Sequence, residues 1–207
     1  MLFRSLKDTD GDDKLDTAER LFVFPKVTDD KRGWYEHHIH GIAVGPDGKS
    51  IYVISGDRNM PPCEKSRVAK HWNRDSWEFA SIAKPFSGGW VLRTDLDGKN
   101  PEYLCMGLRN GYDIAFNRHG DLFTFDSDLE YDLGMPNYRP TAIRQILSGT
   151  DSGWAGSGPA MKWSWTPKWE DIQPPIQDIG PGSPTGVCFG YGAKFRSEEH
   201  TSELQSP

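Results

Sequence analysis

Hydrophobic and polar positions alternate in short runs along most of the chain, which is the pattern of β-strands with one buried face. The segment "HGIAVGPDGKSIYVISGD" (40–57) has two such runs around a Pro-Asp-Gly turn, and "GYDIAFNRHGDLFTFDSD" (111–128) has two around a His-Gly turn. Each segment predicts a β-hairpin whose second strand ends in acidic residues. The segment "GGWVLRTDLDGKNPEYLCMG" (88–107) predicts a further hairpin, with "DLDGKN" as its turn.

The first of these hairpins recurs along the chain at an almost constant spacing. A third copy begins at "SPTGVCFGYGAKF" (183–195), and Ile42, Ile114 and Val187 hold equivalent places, 72 and then 73 residues apart. Four strands per period make one blade of a β-propeller. The segments 58–87 and 129–182 lack clear periodicity and predict insertions on one face. We therefore predict an all-β fold, a β-propeller fragment of about two blades with partial flanking blades.

Composition and charge narrow the function classes. The chain of 207 residues is 36% hydrophobic and contains 22 Gly, 15 Pro and 8 Trp, which favours a loop-rich β protein over a helical bundle. Its net charge is −6 without a basic cluster, so no nucleic-acid partner is expected. No apolar run is long enough to predict a transmembrane segment. Cys63, Cys105 and Cys188 form no CxxC or CxxCH motif, so neither a zinc knuckle nor covalent haem is predicted.

The strongest local motif is "DTDGDDKLDTAE", which fits a 12-residue calcium loop. Its ligand positions are Asp8, Asp10, Asp12, Lys14 through its carbonyl group, Asp16 and Glu19. The sixth position is Asp13 instead of glycine, and aspartate tolerates the left-handed turn that this position needs. The following "RLFVFPKV" is typical of a strand, so we predict structural calcium and not a helical sensor. The alternative is a solvated acidic linker.

Several blocks in order resemble the glucose/sorbosone dehydrogenase-like propellers of the soluble quinoprotein type. They include "HGIAVGPDGKSIYVISGD", "GLRNGYDIAFNRHGDLFTFDSDLEYD", "YRPTAI" and "IGPGSPTGVCFGYGAKF", and the resemblance spans roughly 34–195. The blocks are most similar to the PVC-type membrane-bound dehydrogenases, which often carry a separate c-type haem domain. The resemblance implies about six blades, a periplasmic or secreted location, and pyrroloquinoline quinone (PQQ) with calcium at the centre. A haem domain would lie outside this fragment.

The resemblance also assigns roles to individual residues. Counting back from the "GPDG" turn, the family's catalytic histidine falls on His37, which would take a proton from a sugar hydroxyl. The competing interpretation is that this histidine has a hydrogen-bonded structural role or lies on the solvated surface. Another is a metal site formed by His38 and His40. Arg109 and Asn110 match a pair that contacts the quinone, whereas the structural alternative has Arg109 paired with an acidic neighbour.

Acidic and aromatic residues complete the predicted site. Asp126, Asp128 and Glu130 follow a strand, where calcium, a substrate hydroxyl or an arginine would relieve their mutual repulsion. Arg139 is a candidate for the pocket wall, and Trp154 is predicted to pack between blades.

These patterns divide the chain into three parts. Residues 1–33 are predicted to hold the acidic calcium loop and the end of a preceding blade, and 34–195 the partial propeller. Residues 196–207 ("RSEEHTSELQSP") resemble the translation of a sequencing adapter and are treated as a non-native tail. The predicted function is oxidation of a sugar or polyol hydroxyl with a quinone-type cofactor. The alternative is a non-catalytic, calcium-stabilised propeller that binds carbohydrate or a protein partner.

Overall fold

A computed structural model describes residues 2–23, 37–57, 88–136, 138–154 and 172–192. Within these ranges the chain forms eleven strands and one turn of 3-10 helix, Glu130–Asp132, which confirms the all-β class. The strands are β1 Leu2–Lys7, β2 Thr17–Val23, β3 Ile39–Val44, β4 Ser50–Ser55, β5 Gly89–Asp95, β6 Glu102–Leu108, β7 Ile114–Phe116, β8 Leu122–Asp126, β9 Thr141–Ile146, β10 Thr150–Asp151 and β11 Gln177–Gly180.

Strands β1 and β2 form an antiparallel hairpin around the acidic loop, with Lys7 opposite Thr17. The strand predicted after the loop is therefore confirmed, although it begins earlier than the sequence pattern suggests and includes Glu19. This hairpin contacts the turn between β5 and β6, where Gly98 (φ 76°) approaches the backbone of Leu21 so closely that a β-carbon would clash.

The first large sheet has the order β10-β6-β5-β4-β3. Strands β3 to β6 pair antiparallel in chain order, which confirms both hairpins predicted in this region. The Asp47 carboxylate fixes the turn between β3 and β4 by accepting the N–H groups of Lys49 and Ser50. Strand β10 joins the far edge, parallel to β6.

The second large sheet has the order β11-β9-β8-β7, with all pairs antiparallel. Its β7–β8 hairpin was predicted, but β9, β10 and β11 lie in the segment 129–182 that the sequence pattern treats as an insertion. That prediction is wrong for these strands. Strand β9 buries or half-buries side chains on both faces, so it shows no alternation.

The two sheets share one hydrophobic core that contains residues from β4 to β9. Its buried members are Ile54, Val91, Cys105, Leu108, Ile114, Leu122 and Ile146. The first strands of the sheets also meet, because Gly41 of β3 lies against Asp113, where a β-carbon would be 3.1 Å from the Asp113 Cα. Two consecutive sheets, each built on four antiparallel strands and with neighbouring first strands, are two successive propeller blades, as predicted.

The third copy of the repeat does not form the predicted strand in 183–192. The Asp113 carboxylate instead accepts the N–H groups of Ile114 and Val187, at 2.9 and 3.1 Å, and so holds this segment near the start of β7. Within the described ranges, no strand forms a ladder with 183–192. Cys105 is buried and Cys188 exposed, both as free thiols, while Cys63 lies outside the described ranges. In the part of the chain that is described, no helix has the length and apolarity needed to cross a membrane.

Candidate functional site

His37 lies two residues before the start of β3, in the left-handed backbone region with φ 62°. A residue other than glycine rarely adopts this conformation, and such strain is often found at functional sites. The conformation turns the imidazole toward the end of β4, where Gly56 donates its N–H to the carbonyl of His38. Glycine is required there, because a β-carbon would lie 2.8 Å from the carbonyl oxygen of His37.

Asp57 is the partner of His37. The Nδ1 atom of His37 lies 2.8 Å from Oδ1 of Asp57, and the two side chains are 13% and 0% exposed. A buried carboxylate at this distance favours the tautomer with the proton on Nδ1, so Nε2 is left to accept a proton. This is the arrangement of a general base with an orienting carboxylate.

Trp154 contacts the same carboxylate from the other side. Its Nε1–H donates to Oδ2 of Asp57 at 2.6 Å, and the residue is only 2% exposed. Its backbone N–H donates to the carbonyl of Gly107, next to the end of β6. Trp154 is thus buried as predicted, but it also donates a hydrogen bond to the site.

Arg109 is buried beside this group. Its carbonyl accepts the N–H of Asp57 at 2.9 Å, and its guanidinium lies 5.8 Å from the centre of the Trp154 ring. The guanidinium donates to Ser127 Oγ and to Glu130 Oε2, both at 3.0 Å. The contact with Glu130 is a pairing with an acidic neighbour, as the structural alternative expects.

Asp126 holds the backbone of the loop that carries Arg109 and Asn110. Its buried carboxylate accepts their N–H groups at 2.9 and 2.8 Å, and Arg144 Nε lies 3.8 Å away. Burial raises the pKa of Asp126, while these N–H groups and Arg144 act in the opposite direction. The Asp126 carboxylate is therefore already hydrogen-bonded to backbone N–H groups of the protein.

The other predicted site residues after β8, Asp128, Glu130 and Arg139, differ in burial and in their partners. Asp128 is buried and accepts the Tyr138 hydroxyl at 2.6 Å; loss of water and this carboxylate raise the pKa of Tyr138 to about 12. Glu130 lies in the 3-10 turn with its side chain 59% exposed, and Arg139 is exposed. The structure thus divides the carboxylates among different partners.

His40 has surroundings unlike those of His37. Its ring stacks on Tyr112 at 4.2 Å, and its Nε2 lies 3.0 Å from Oδ1 of Asn110. Partial burial lowers the pKa of His40, as do His37 and His38, while the Asn110 contact raises it. Among the described side chains, no group of three or more with metal-ligand spacing includes His38 or His40.

The acidic loop gathers part of its predicted ligand set. Ligand oxygens of Asp8, Asp10 and Asp16 all lie within 4.8 Å of one another and are exposed. Asp8 accepts the N–H groups of Gly11 at 2.7 Å and Asp13 at 3.0 Å, and backbone bonds of this kind lower its pKa. Asp13 has φ 64°, which confirms the left-handed turn expected at the sixth position.

The other predicted calcium ligands are engaged elsewhere. Asp12 pairs with the Lys14 ammonium group at 2.7 Å, and Glu19 pairs with Lys7 at 3.3 Å. Since Glu19 lies within β2 opposite Ser5, it is not in the described cluster.

Asp57 is the residue of the candidate site that the sequence interpretation did not select. The signal was present, since Asp57 lies two residues after β4 of the first repeated hairpin, as Asp128 lies two residues after β8 of the next. The pairing with His37 could not be inferred from spacing alone, because it depends on the left-handed backbone of His37.

The chain matches no family model and no curated protein. Solved structures with a similar shape include the PQQ-bound form of an aldose sugar dehydrogenase from Streptomyces coelicolor, at 16% identity and TM-score 0.47, over 81% of this chain and 41% of that one. Another is an oxidoreductase provisionally assigned as a glucose dehydrogenase from Thermus thermophilus, at 24% identity and TM-score 0.44, over 72% and 40%. This chain therefore spans about two fifths of the length of either protein.

Proposed function

We propose that this chain is part of a sugar or polyol dehydrogenase-like propeller that oxidises a hydroxyl group with a quinone-type cofactor. The observation that carries the proposal is the ring of His37 held by the buried Asp57 carboxylate at 2.8 Å. This pair supplies what the reaction needs from the protein, a base with one nitrogen oriented and the other available.

In the proposed reaction the substrate hydroxyl gives its proton to Nε2 of His37, and the carbinol carbon becomes a carbonyl carbon as its hydride leaves. Asp57 stabilises the imidazolium that forms. PQQ would supply the two-electron oxidant for this reaction, and Arg109 and Asn110 are the residues that would hold it.

Arg109 and Asn110 fit a contact to an anionic quinone, whereas Asp126 and Asp128 do not. The buried Nε of Arg109 has no hydrogen-bond partner among the residues that the structure describes, and a planar cation suits a carboxylate-bearing ligand. The Glu130 side chain that neutralises Arg109 is largely exposed, so it can give way to an anion. The Asp126 and Asp128 carboxylates are buried and already bonded within the protein.

The proposal also includes calcium in the acidic loop, as a structural ion that joins Asp8, Asp10 and Asp16. A periplasmic or secreted location, and a c-type haem domain elsewhere in the protein, follow from the sequence resemblance. The PVC-type assignment has the same basis, whereas the assignment of 196–207 as non-native rests on its likeness to a translated sequencing adapter.

The test uses the complete natural protein that carries this chain, supplied with calcium and PQQ. Dye reduction is assayed against a panel of aldoses and polyols, and quinone binding is titrated separately. We expect turnover that falls at least about 100-fold in His37→Ala, because the base is removed, while quinone binding persists. His119→Ala is the matched control, since His119 lies exposed in the turn between β7 and β8.

A folded, calcium-loaded protein that binds no quinone would overturn the redox proposal. Saturable binding of a carbohydrate or protein partner without turnover would then favour the non-catalytic propeller.

A further inference from the structure

We propose that Trp154 is a positioning residue for His37, acting through the Asp57 carboxylate. The role rests on the proposed function, in which His37 is the base. Trp154 would fix the plane of the carboxylate, and the carboxylate would fix the tautomer and direction of the imidazole.

The two oxygens of Asp57 bond to side chains from different parts of the chain. Oδ1 faces Nδ1 of His37 at 2.8 Å, and Oδ2 accepts the indole N–H of Trp154 at 2.6 Å. A carboxylate bonded on one oxygen can still turn about its last side-chain torsion, since that torsion is broad. A second short bond to an ionised acceptor removes that freedom.

Hydrogen bonds and close packing fix the backbone at Trp154. Its backbone N–H donates to the Gly107 carbonyl at 2.8 Å, and the preceding Gly153 donates to Asp151 Oδ1 at 2.7 Å. Gly88 packs against its carbonyl oxygen so closely that a β-carbon would lie at 2.9 Å. The indole therefore approaches Asp57 from a fixed backbone.

The indole ring also lies beside the residue proposed to contact the cofactor. The Arg109 guanidinium is 5.8 Å from the ring centre, within reach of a cation–π interaction. Through its N–H edge and its face, Trp154 contacts both Asp57 and Arg109. A residue that only packs against Arg109 would need the face of the indole ring but not its N–H group.

Trp154→Phe separates these roles, because it keeps an aromatic face toward Arg109 and removes only the N–H donor and part of the ring. We expect kcat to fall about tenfold with KM little changed, since small losses of alignment slow the chemical step. In an Asp57→Asn background, Trp154→Phe should lower kcat less than about twofold further, because the carboxylate that Trp154 orients is absent.

Nuclear magnetic resonance of the 15N-labelled protein tests the contacts without turnover. The indole signal that disappears in Trp154→Phe identifies Trp154, and we expect that signal to move upfield in Asp57→Asn as its charged acceptor is lost. The imidazole nitrogens of His37 should show the Nδ1–H tautomer in the natural protein and a tautomer mixture in Trp154→Phe.

Trp90→Phe is the matched control, since Trp90 is fully buried and packs edge-on against Tyr103. It should leave the His37 tautomer and kcat unchanged. An indole signal indifferent to Asp57→Asn, or an unaltered His37 tautomer in folded Trp154→Phe, would overturn the proposal. If Trp154→Phe does not fold, the Asp57→Asn comparison decides, with the indole signal assigned by sequential resonances. If the protein lacks dehydrogenase activity, the spectra still decide the role of Trp154.

Discussion

His37 and His40 differ in what each ring faces, and this difference decides what each can do. His37 faces a buried carboxylate, so its ring is oriented. His40 faces the Asn110 amide and the Tyr112 ring, and its partial burial lowers its pKa. The first is suited to proton transfer and the second to holding the loop of Asn110 as a neutral ring.

At this scale His40 predicts a pH dependence of stability. Because its pKa in the folded chain lies below the ordinary 6.5, the unfolded chain binds the proton more readily. The contribution of His40 is therefore intact above about pH 6.5 and is lost as the pH falls below it. The groups that face it are Asn110, Tyr112, His37 and His38.

Urea unfolding at about pH 7.5 and about pH 5.5 measures this dependence. We expect the free energy of unfolding to fall less between the two values in His40→Gln than in the natural chain. His119→Gln, at an exposed turn, should retain the full fall. Equal pH dependence in His40→Gln and the natural chain would contradict the role assigned to burial.

The family resemblance indicated His37, at a set distance before a turn, but it indicated neither Asp57 nor the contact of Trp154 with Asp57. Distance along a strand can be read from alternation, whereas side-chain contacts between sheets depend on how those sheets pack. The Arg109 and Asn110 pair was selected by the family resemblance, and its role stays a prediction. Its hydrogen bonds to Asp126 and Glu130 required the folded backbone.

At the scale of elements, hairpins with clear turn residues were predictable and strands without them were not. The β3–β4 and β5–β6 hairpins have Asp-Gly turns, whose backbone preferences act locally. Strands β9 and β11 are separated by a long segment, and their pairing is fixed by the sheet that they complete. Nothing local in "TAIRQI" indicates which strand it will pair with.

The β1–β2 hairpin predicts a thermal response to calcium. A cation among Asp8, Asp10 and Asp16 would bind the folded loop but not the unfolded chain, so it should raise Tm. We expect a rise of about 5 °C at saturating calcium, measured by calorimetry.

Asp10→Asn should abolish most of that calcium-dependent rise in Tm, because it removes a charged ligand from the cluster. Asp97→Asn is the control, since Asp97 is an exposed aspartate in the turn between β5 and β6 and pairs with Lys99. A rise that persists in Asp10→Asn would place the calcium elsewhere in the protein.

At the scale of the whole molecule, the first blade presents an apolar edge. Strand β3 lies at the edge of its sheet, and its Ile42 and Val44 are 50% and 62% exposed. Exposed edge strands with apolar side chains favour pairing with another chain. A neighbouring blade would cover them in a closed propeller.

This edge predicts that the 207-residue chain by itself associates with other copies. Ile42→Lys should shift the population toward monomer, because a charge on an edge strand opposes pairing. Light scattering after size-exclusion chromatography measures the change. Leu96→Lys, at a similarly exposed position in a turn, should leave the association unchanged. Equal effects of the two changes would mean that association does not use β3.

The shared carboxylate of Asp57 also determines when the site can exist during synthesis. His37 lies 20 residues before Asp57 and can meet it once β3 and β4 have paired, whereas Trp154 is 97 residues further along the chain. A ribosome-bound chain can therefore hold the histidine and its carboxylate long before the indole has been made. Reactivity of the histidine in nascent chains would accordingly report the order in which the blades assemble.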